Sequence, residues 1–297
     1  MWSDGSITRV SDAGRLVAWP GTVVNEGRVS ENGRSVGRRT AGLKSTWTEV
    51  GGLRVHARFS TQTPPEGASP IILVHGLGVA SRSMVPLAKA LAPSYRIHAP
   101  DLPGFGDSEK PPQVLALAEL TACLAAWTRA CGLERAVFLG NSVGCQLVVR
   151  LAVRHPELVE RVVLQGPTMD PGARTMRQQT WLWIRNSRGE RGSLTPIALR
   201  EYWRCGLRRL LKTFRYALED PIEEKLPRVR VPALVVRGSW DPIVTQRWAE
   251  EVADRLPMGR LVVIRDGPHT LIHNRPLDLA RVVREFLSAA PAKRRDV

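Results

Sequence analysis

One serine in this sequence stands where it could act as a nucleophile. Ser142 is the centre of a G-x-S-x-G pattern, residues 140–144, with a glycine two positions before it and two positions after it. The apolar residues 136–139 predict a short buried strand before this pattern, and residues 143–154 predict a helix with one apolar face after it. A serine on so tight a turn needs neighbours without side chains. Its hydroxyl is then exposed at the end of the strand, where it can attack a carbonyl carbon.

Two further residues could complete the chemistry of an activated serine. Such a serine needs a base that takes its proton, a carboxylate that orients the base, and N–H donors for the oxyanion. Asp241 and His269 both follow short apolar segments that predict strands, and ligand sites of open α/β sheets lie at the carboxyl ends of strands. We predict that His269 takes the proton from Ser142 and that Asp241 orients His269. Asp170 also follows a predicted strand and competes with Asp241 for the role of the acid.

The loop His75-Gly76-Leu77-Gly78 follows another predicted strand, the apolar residues 71–74. Such a loop can point backbone N–H groups at a developing negative charge. We predict that the N–H groups of Leu77 and Val143 stabilise the oxyanion. For the substrate-binding surface we select five residues: His75, Gly76, Asn141, Trp240 and Trp203.

These motifs, in this order, resemble the α/β-hydrolase fold, whose members carry the nucleophile, the acid and the histidine in that order along the chain. The similarity covers about residues 46–288 and includes the segment 101–108, Asp-Leu-Pro-Gly-Phe-Gly-Asp-Ser. The Asn-Ser pair at 141–142 is similar to that of the meta-cleavage C–C hydrolase branch, although Cys145 and Thr270 differ from the residues which that branch often has. The resemblance implies a Ser-His-Asp triad that needs no metal and no organic cofactor.

Predicted strands and helices alternate along most of the chain, which indicates an α/β class with a mainly parallel sheet flanked by helices. The resemblance adds a helical lid, inserted into the core. The predicted divisions are a loosely ordered N-terminal arm (1–45), the core (46–170 and 229–290), the lid (171–228) and a basic tail (291–297). In the lid, helical spacing predicts one apolar stripe that either packs on the core or lines an acyl or aromatic pocket: Trp203, Leu207, Leu210, Leu211, Phe214 and Leu218.

Positive charge is concentrated in the lid. The chain has 43 Lys+Arg and 28 Asp+Glu, which gives a net charge of +15, and thirteen basic and six acidic residues lie within 171–228. Three explanations stay open: a solvated face, attraction of an anionic substrate, and peripheral contact with an acidic membrane surface. No nucleic-acid-binding motif accompanies the charge, so nucleic acid is not an expected partner.

The cysteines and the hydropathy pattern indicate a reduced, cytoplasmic protein. No cysteine pair has C-x-x-C spacing, and no histidine lies at metal-binding spacing from them. We therefore predict buried apolar side chains rather than metal ligands at Cys123, Cys131, Cys145 and Cys205. No segment reaches the ~18 consecutive apolar residues that a membrane span requires, and the residues after Met1 lack the pattern of a secretory signal. The oligomeric state is left open.

The sequence thus predicts a serine hydrolase that cleaves a carboxylic ester of a small, largely apolar substrate. Two alternatives stay open. The first is hydrolysis of a carbon–carbon bond in a ketonic substrate, in which the same groups act and the leaving group is carbon. The second is a ligand receptor that keeps the triad but has little turnover.

Overall fold

In the computed structural model, strands and helices are described for residues 8–10, 16–18, 42–190 and 192–290. The strands in these ranges are β1 (Thr8–Val10), β2 (Leu16–Ala18), β3 (Leu43–Val50), β4 (Leu53–Ser60), β5 (Ile71–Val74), β6 (Ile97–Pro100), β7 (Ala136–Asn141), β8 (Val159–Gln165), β9 (Ala233–Gly238) and β10 (Gly259–Ile264). The α-helices are α1 (Val85–Leu91), α2 (Leu117–Ala130), α3 (Val143–Arg154), α4 (Met176–Ser187), α5 (Thr195–Cys205), α6 (Leu207–Leu218), α7 (Gln246–Arg255), α8 (Leu271–Asn274) and α9 (Pro276–Ser288).

Eight of the strands form one sheet in the order β10-β9-β8-β7-β5-β6-β4-β3. The strands from β5 to β10 run parallel, and the hairpin of β3 and β4 joins β6 in the antiparallel sense. The predicted α/β class, with a mainly parallel sheet flanked by helices, is confirmed. β3 begins at Leu43, which falls inside the segment predicted as an N-terminal arm. Most of that arm and the basic tail at 291–297 lie outside the described residues.

The central strands are apolar because helices cover both faces of the sheet. In β7, Phe138 points into a cluster with α2 and α3, whereas its neighbours Val137 and Leu139 point into a second cluster with α1 and α9. All three side chains have no exposed surface. This alternation fixes the register of the strand, so the polar turn after β7 must emerge at the carboxyl edge of the sheet.

The interval between β8 and β9 contains α4, α5 and α6 and, in its described part, no strand. Polar contacts attach these helices to the core, since Arg204 donates to Asp107 at 2.5 Å and Arg209 donates to the carbonyl of Pro111 at 2.8 Å. A further bond joins Gln146 of α3 to the carbonyl of Ala217 in α6 at 2.9 Å. No helix in the described part of the chain is long and apolar enough to cross a membrane. We keep the name lid for residues 171–228.

The predicted apolar stripe of the lid is broken in the structure. α5 ends at Cys205, α6 begins at Leu207, and Gly206 between them has φ = +80°. Glycine adopts a positive φ without strain, so the chain can change direction here between the two helices. Trp203, before the break, faces outward. Within α6, Leu210 and Phe214 line the cavity, whereas Leu207 in the first turn faces outward.

Candidate active site

Ser142 occupies a strained turn between β7 and α3. Its φ of 56° and ψ of −123° are unfavourable for any residue with a side chain. The flanking glycines make the turn possible, because a Cβ at Gly140 would lie 2.6 Å from the carbonyl oxygen of Gly144, and one at Gly144 would lie 2.5 Å from that of Val74. The N–H of Ser142 donates to the carbonyl of Gln165 at 2.9 Å. The turn thus packs closely against β5 and is hydrogen-bonded to β8.

His269 and Asp241 form a hydrogen-bonded pair in the loops that follow β10 and β9. The Nδ1 of His269 lies 2.7 Å from Oδ2 of Asp241. The other carboxylate oxygen accepts the N–H groups of Ile243 at 2.8 Å and Val244 at 3.0 Å. Both oxygens of this buried carboxylate are therefore satisfied, and its orientation is fixed by the backbone.

Asp170, the competing acid, has different partners. Its carboxylate accepts the N–H of Gly172 at 2.8 Å and lies 3.3 Å from Nη2 of Arg247. It also lies within 3.4 Å of the hydroxyl of Thr245. Asp170 thus caps a helical turn and pairs with a surface arginine, and its described hydrogen bonds do not include His269.

The environment of His269 favours its charged form. Burial alone would lower the pKa of His269, but the charge and the hydrogen bond of Asp241, together with the charge of Glu190, raise this pKa above its ordinary value of 6.5. The second ring nitrogen, Nε2, is buried and has no hydrogen-bond partner in the described structure. An unpaired nitrogen of this kind is available to take a proton from a group in the adjacent cavity.

That cavity has a volume of about 360 Å³ and brings Ser142 and His269 together. This volume suits a small organic molecule. The lid contributes much of its apolar wall: Trp183, Leu194, Leu199, Tyr202, Leu210 and Phe214. Glu190 is the one carboxylate among the described lining residues, and no lysine or arginine lines the cavity within the described part of the chain.

The predicted oxyanion donors, Leu77 and Val143, both line this cavity. His75 orients the peptide between Gly76 and Leu77. Its Nε2 accepts the N–H of Leu102 at 3.0 Å, so its Nδ1 carries the proton and donates to the carbonyl of Gly76 at 2.9 Å. Since C=O and N–H of a trans peptide point in opposite directions, the N–H of Leu77 points away from the His75 ring. Burial lowers the pKa of His75, which keeps the ring neutral for this role.

The structure places two of the five residues predicted for substrate binding in the wall of the cavity. Gly76 and Asn141 line the cavity. His75 lies behind the cavity wall, where it is buried and positions the loop. Trp240 is 63% exposed and Trp203 is 84% exposed, and neither lines the cavity. Their side chains point to solvent, so the structure does not support a substrate contact for these two residues.

Three polar residues that the sequence did not single out hold the loop of His269. The buried side chain of Gln165 accepts from Asn141 at 2.6 Å and donates to the carbonyl of His269 at 2.7 Å. From the lid, Asn186 accepts the N–H of His269 at 3.1 Å, and Glu190 accepts the N–H of Thr270 at 3.1 Å. Gln165 could have been identified because it ends β8, the strand that precedes Asp170, whereas no sequence pattern marks Asn186 or Glu190.

One cluster has the residue types of a metal site. His56, Asp101 and Asp107 lie close together, but Arg58 lies 3.5 Å from the carboxylate of Asp107 and 4.0 Å from that of Asp101. Burial alone would raise the pKa of Asp101, yet hydrogen bonds from His56 and Ser81 and the charge of Arg58 hold this pKa far below its usual range. The guanidinium balances these carboxylates, so the cluster fits an ion-pair network and not a cation site.

The cysteines do not contribute a competing nucleophile. All four are free thiols; Cys145 and Cys205 are buried as predicted, whereas Cys123 and Cys131, also predicted to be buried, are half-buried. Burial raises the pKa of Cys123 and of Cys131 to about 11, which leaves very little thiolate at neutral pH. Cys145 packs beneath the turn of Ser142, where its thiol lies 3.2 Å from the carbonyl of Gly140.

Comparisons with known proteins agree with this arrangement. Residues 71–282 match the model of the alpha/beta hydrolase family. The 2-hydroxymuconate semialdehyde hydrolase of Pseudomonas putida is 26% identical over 276 residues, which are 82% of this chain and 96% of that protein. Esterase YbfF of Escherichia coli is 23% identical over 80% of this chain and 100% of that protein. A shorter match, 32% identical over 46% of this chain, covers 33% of the abhydrolase domain-containing protein abhd-5.2 of Caenorhabditis elegans.

Proposed function

Since the chain belongs to the alpha/beta hydrolase family, we propose that it is a serine hydrolase which cleaves a carboxylic ester of a small, largely apolar substrate. Family membership confirms the resemblance inferred from the order of the motifs. The observation that carries the proposal is the cavity where Ser142 meets the unpaired Nε2 of His269, whose Nδ1 is bonded to Asp241.

The reaction uses these groups in two steps. Oγ of Ser142 attacks the ester carbonyl while Nε2 of His269 takes its proton, and the N–H groups of Leu77 and Val143 stabilise the oxyanion. His269 then gives the proton to the departing alcohol, which leaves an acyl group on Ser142. A water molecule then attacks this acyl group while His269 takes its proton, and His269 returns that proton to Oγ of Ser142 as the acid product leaves. Asp241 orients the ring and stabilises its charged form.

The charge of the cavity favours an ester over the carbon–carbon alternative. The name of the Pseudomonas putida relative specifies a muconate semialdehyde, which is a substrate with a carboxylate. An anion of this kind binds more tightly when a cation lies near its binding site. The described cavity lining offers Glu190 and no lysine or arginine. A neutral ester fits this lining better. The esterase among the relatives, which this chain matches over the full length of that protein, agrees with this choice.

The test is hydrolysis of p-nitrophenyl esters of increasing acyl length, combined with labelling by a fluorophosphonate probe. The native chain should turn over at least one ester and react with the probe. Ser142→Ala should lose labelling and lower turnover by about 10³-fold or more. Ser187→Ala is the matched control, because this serine also lines the cavity but bonds the carbonyl of Ile184.

The alternatives give different results in the same assay. Labelling without turnover of any ester would support a receptor. Turnover of a ketonic substrate with a vinylogous acid, in the absence of ester turnover, would support carbon–carbon hydrolysis. Labelling retained in Ser142→Ala would remove this residue from the role of nucleophile.

A further inference from the structure

The lid exposes an unusual amount of apolar surface. Of the twelve large hydrophobic side chains exposed in the described residues, eight lie between residues 176 and 211. The most exposed of these eight are Trp203 at 84%, Leu207 at 69% and Leu199 at 62%. Single exposed hydrophobic residues are normal, but a group of this size on neighbouring helices indicates an interaction surface.

This apolar surface is continuous with the wall of the cavity. Leu199 and Trp203 are four residues apart in α5, so they lie on the same side of the helix, and Leu207 and Leu211 are related in the same way in α6. Leu199 and Leu211 are exposed and also line the cavity. They therefore connect the outer surface with the interior in which Ser142 lies. We call the exposed side chains of α4, α5 and α6, together with that of Arg188 directly after α4, the lid face.

The lid face is also strongly basic. Residues 176–215 contain ten basic residues and only two acidic ones, Glu190 and Glu201. Both acids point inward, because Glu190 lines the cavity and Glu201 is buried beside Arg82. The described ion pairs of the lid use other basic residues: Arg174, Arg204, Arg215 and Lys225. Six basic side chains are exposed outside these pairs: Arg177, Arg185, Arg188, Arg200, Arg208 and Lys212.

The combination of apolar and basic groups points to one occupant. We propose that the lid face docks on an anionic lipid bilayer, with the mouth of the cavity turned toward the lipid. Tryptophan and leucine side chains enter the interfacial region of a bilayer, and arginine and lysine side chains are attracted to anionic head groups. Arg185 lies 5.5 Å from the ring of Trp181, so the two kinds of group stand side by side on α4.

Charge complementarity distinguishes the bilayer from a second copy of this chain. Two copies joined through their lid faces would bring the same unpaired cations together, and like charges across an interface oppose association. The cavity carries no described lysine or arginine. The described positive charge of the lid therefore lies outside the cavity, where it suits a charged surface better than a charged substrate.

Docking has a consequence for the substrate, and this step rests on the proposed function. An ester dissolved in the bilayer reaches the cavity directly from the lipid, past Leu199 and Leu211. The expected substrate class is then an ester of a lipid or of another membrane-dissolved amphiphile.

Vesicle sedimentation tests the docking without reference to catalysis. Ser142→Ala protein is mixed with vesicles of phosphatidylglycerol and phosphatidylcholine, or of phosphatidylcholine alone. It should sediment with the mixed vesicles and much less with the neutral ones, and the difference should shrink as salt is added. Arg208→Gln/Lys212→Gln should lower the partition coefficient about 25-fold, since each basic side chain near an anionic surface contributes about fivefold. The matched control, Arg96→Gln/Arg154→Gln, removes the same charge outside the lid, from two exposed arginines, and should bind like the parent.

A second pair of substitutions, Trp203→Ser/Leu207→Ser, tests the apolar part. These side chains are exposed, so the fold should be kept, as circular dichroism can verify, and binding should fall at low and at high salt. Absence of binding to mixed vesicles, or equal loss of binding in the lid and control variants, would overturn the proposal. A concentration-dependent dimer that Leu207→Ser dissociates would also overturn it, since a second copy would then cover the lid face. Binding of a soluble acidic protein, without binding of vesicles, would overturn it as well.

Activity separates this proposal from the preceding one. Arg208→Gln/Lys212→Gln in the active chain should hydrolyse soluble p-nitrophenyl acetate at the parent rate and lose rate on an ester embedded in anionic vesicles. Failure of the proposed function would abolish both activities and leave vesicle binding intact. Failure of the docking would abolish vesicle binding and leave the soluble ester as a substrate.

Discussion

Replacement of Asp241 by asparagine should inactivate the protein through a specific change in His269. The Oδ1 of Asp241 accepts two backbone N–H groups, from Ile243 and Val244, at 2.8 and 3.0 Å. An asparagine must keep its oxygen at this position, because an amide NH₂ group there would face two donors. Its NH₂ group then faces Nδ1 of His269 across the present 2.7 Å contact. A donor at this position makes Nδ1 the acceptor and moves the ring proton to Nε2.

The expected loss is large. A proton on Nε2 leaves His269 without a lone pair toward Ser142, so the ring cannot act as the base. Loss of the correct tautomer and of the carboxylate charge costs a factor of about 10⁴ in kcat, or about 5 kcal/mol of transition-state stabilisation. The fold should be kept, since the two backbone hydrogen bonds remain. The control is Asp170→Asn. The native Asp170 carboxylate bonds Gly172 and Arg247 and not His269, so this variant should keep kcat within a few-fold of the parent.

The assay is hydrolysis of the best p-nitrophenyl ester, with circular dichroism to verify that both variants are folded. Activity of Asp241→Asn within tenfold of the parent would refute the argument from the tautomer. Loss of activity in Asp170→Asn, with full activity in Asp241→Asn, would transfer the role of the acid to Asp170.

Three other perturbations have expected outcomes. His269 must be neutral to act as the base, and its pKa is raised, so kcat/KM should fall as the pH drops through an apparent pKa above 6.5. Glu190→Gln should lower this apparent pKa in a pH–rate profile, and an unchanged profile would contradict the role of Glu190. Gly144→Ala should lower the free energy of unfolding, measured by urea titration, by about 1–3 kcal/mol, because the new Cβ would lie 2.5 Å from the carbonyl oxygen of Val74. The control Gly192→Ala has open space around it and should change the free energy of unfolding by less than about 0.5 kcal/mol. An ester with a free carboxylate should lose kcat/KM relative to its neutral amide analogue as salt is added, because the lid cations lie outside the cavity and their field is screened beyond ~8 Å at physiological salt. A preference for the carboxylate at high salt would indicate an arginine inside the cavity.

The strands and turns that carry the site residues could be predicted from the sequence more readily than the contacts between those residues. Apolar runs such as 136–139 have one stable environment, a strand covered on both faces, so the strands and the turns after them could be located. The choice between Asp241 and Asp170 could not be made in the same way, since both follow strands. It depends on which carboxylate has His269 as its partner, and that contact joins residues far apart in the chain.

The lid shows a second limit of sequence patterns. Helical spacing from Trp203 to Leu218 predicted one apolar stripe, but the helix is interrupted at Gly206, and within α6 Leu207 faces outward while Leu210 and Phe214 face inward. A periodic pattern gives the angle of each side chain around its own helix axis, but it does not give the direction of that axis after a glycine with positive φ, or which turns of the helix the core covers. Trp203 was therefore predicted to bind substrate, although its side chain is exposed to solvent.

The hydrogen bonds that the end of α4 and the turn after it make to the loop of His269 have a consequence for protein engineering. Asn186 and Glu190 belong to the lid by position in the chain, yet they accept the N–H groups of His269 and Thr270. A chain with the lid removed, or exchanged for that of a relative, would lose the acceptors of two backbone donors beside the base. Such a chimera would have a displaced histidine as well as a new pocket. A transplant aimed at new substrates should therefore keep residues 186–190 of the recipient and begin the exchange after them.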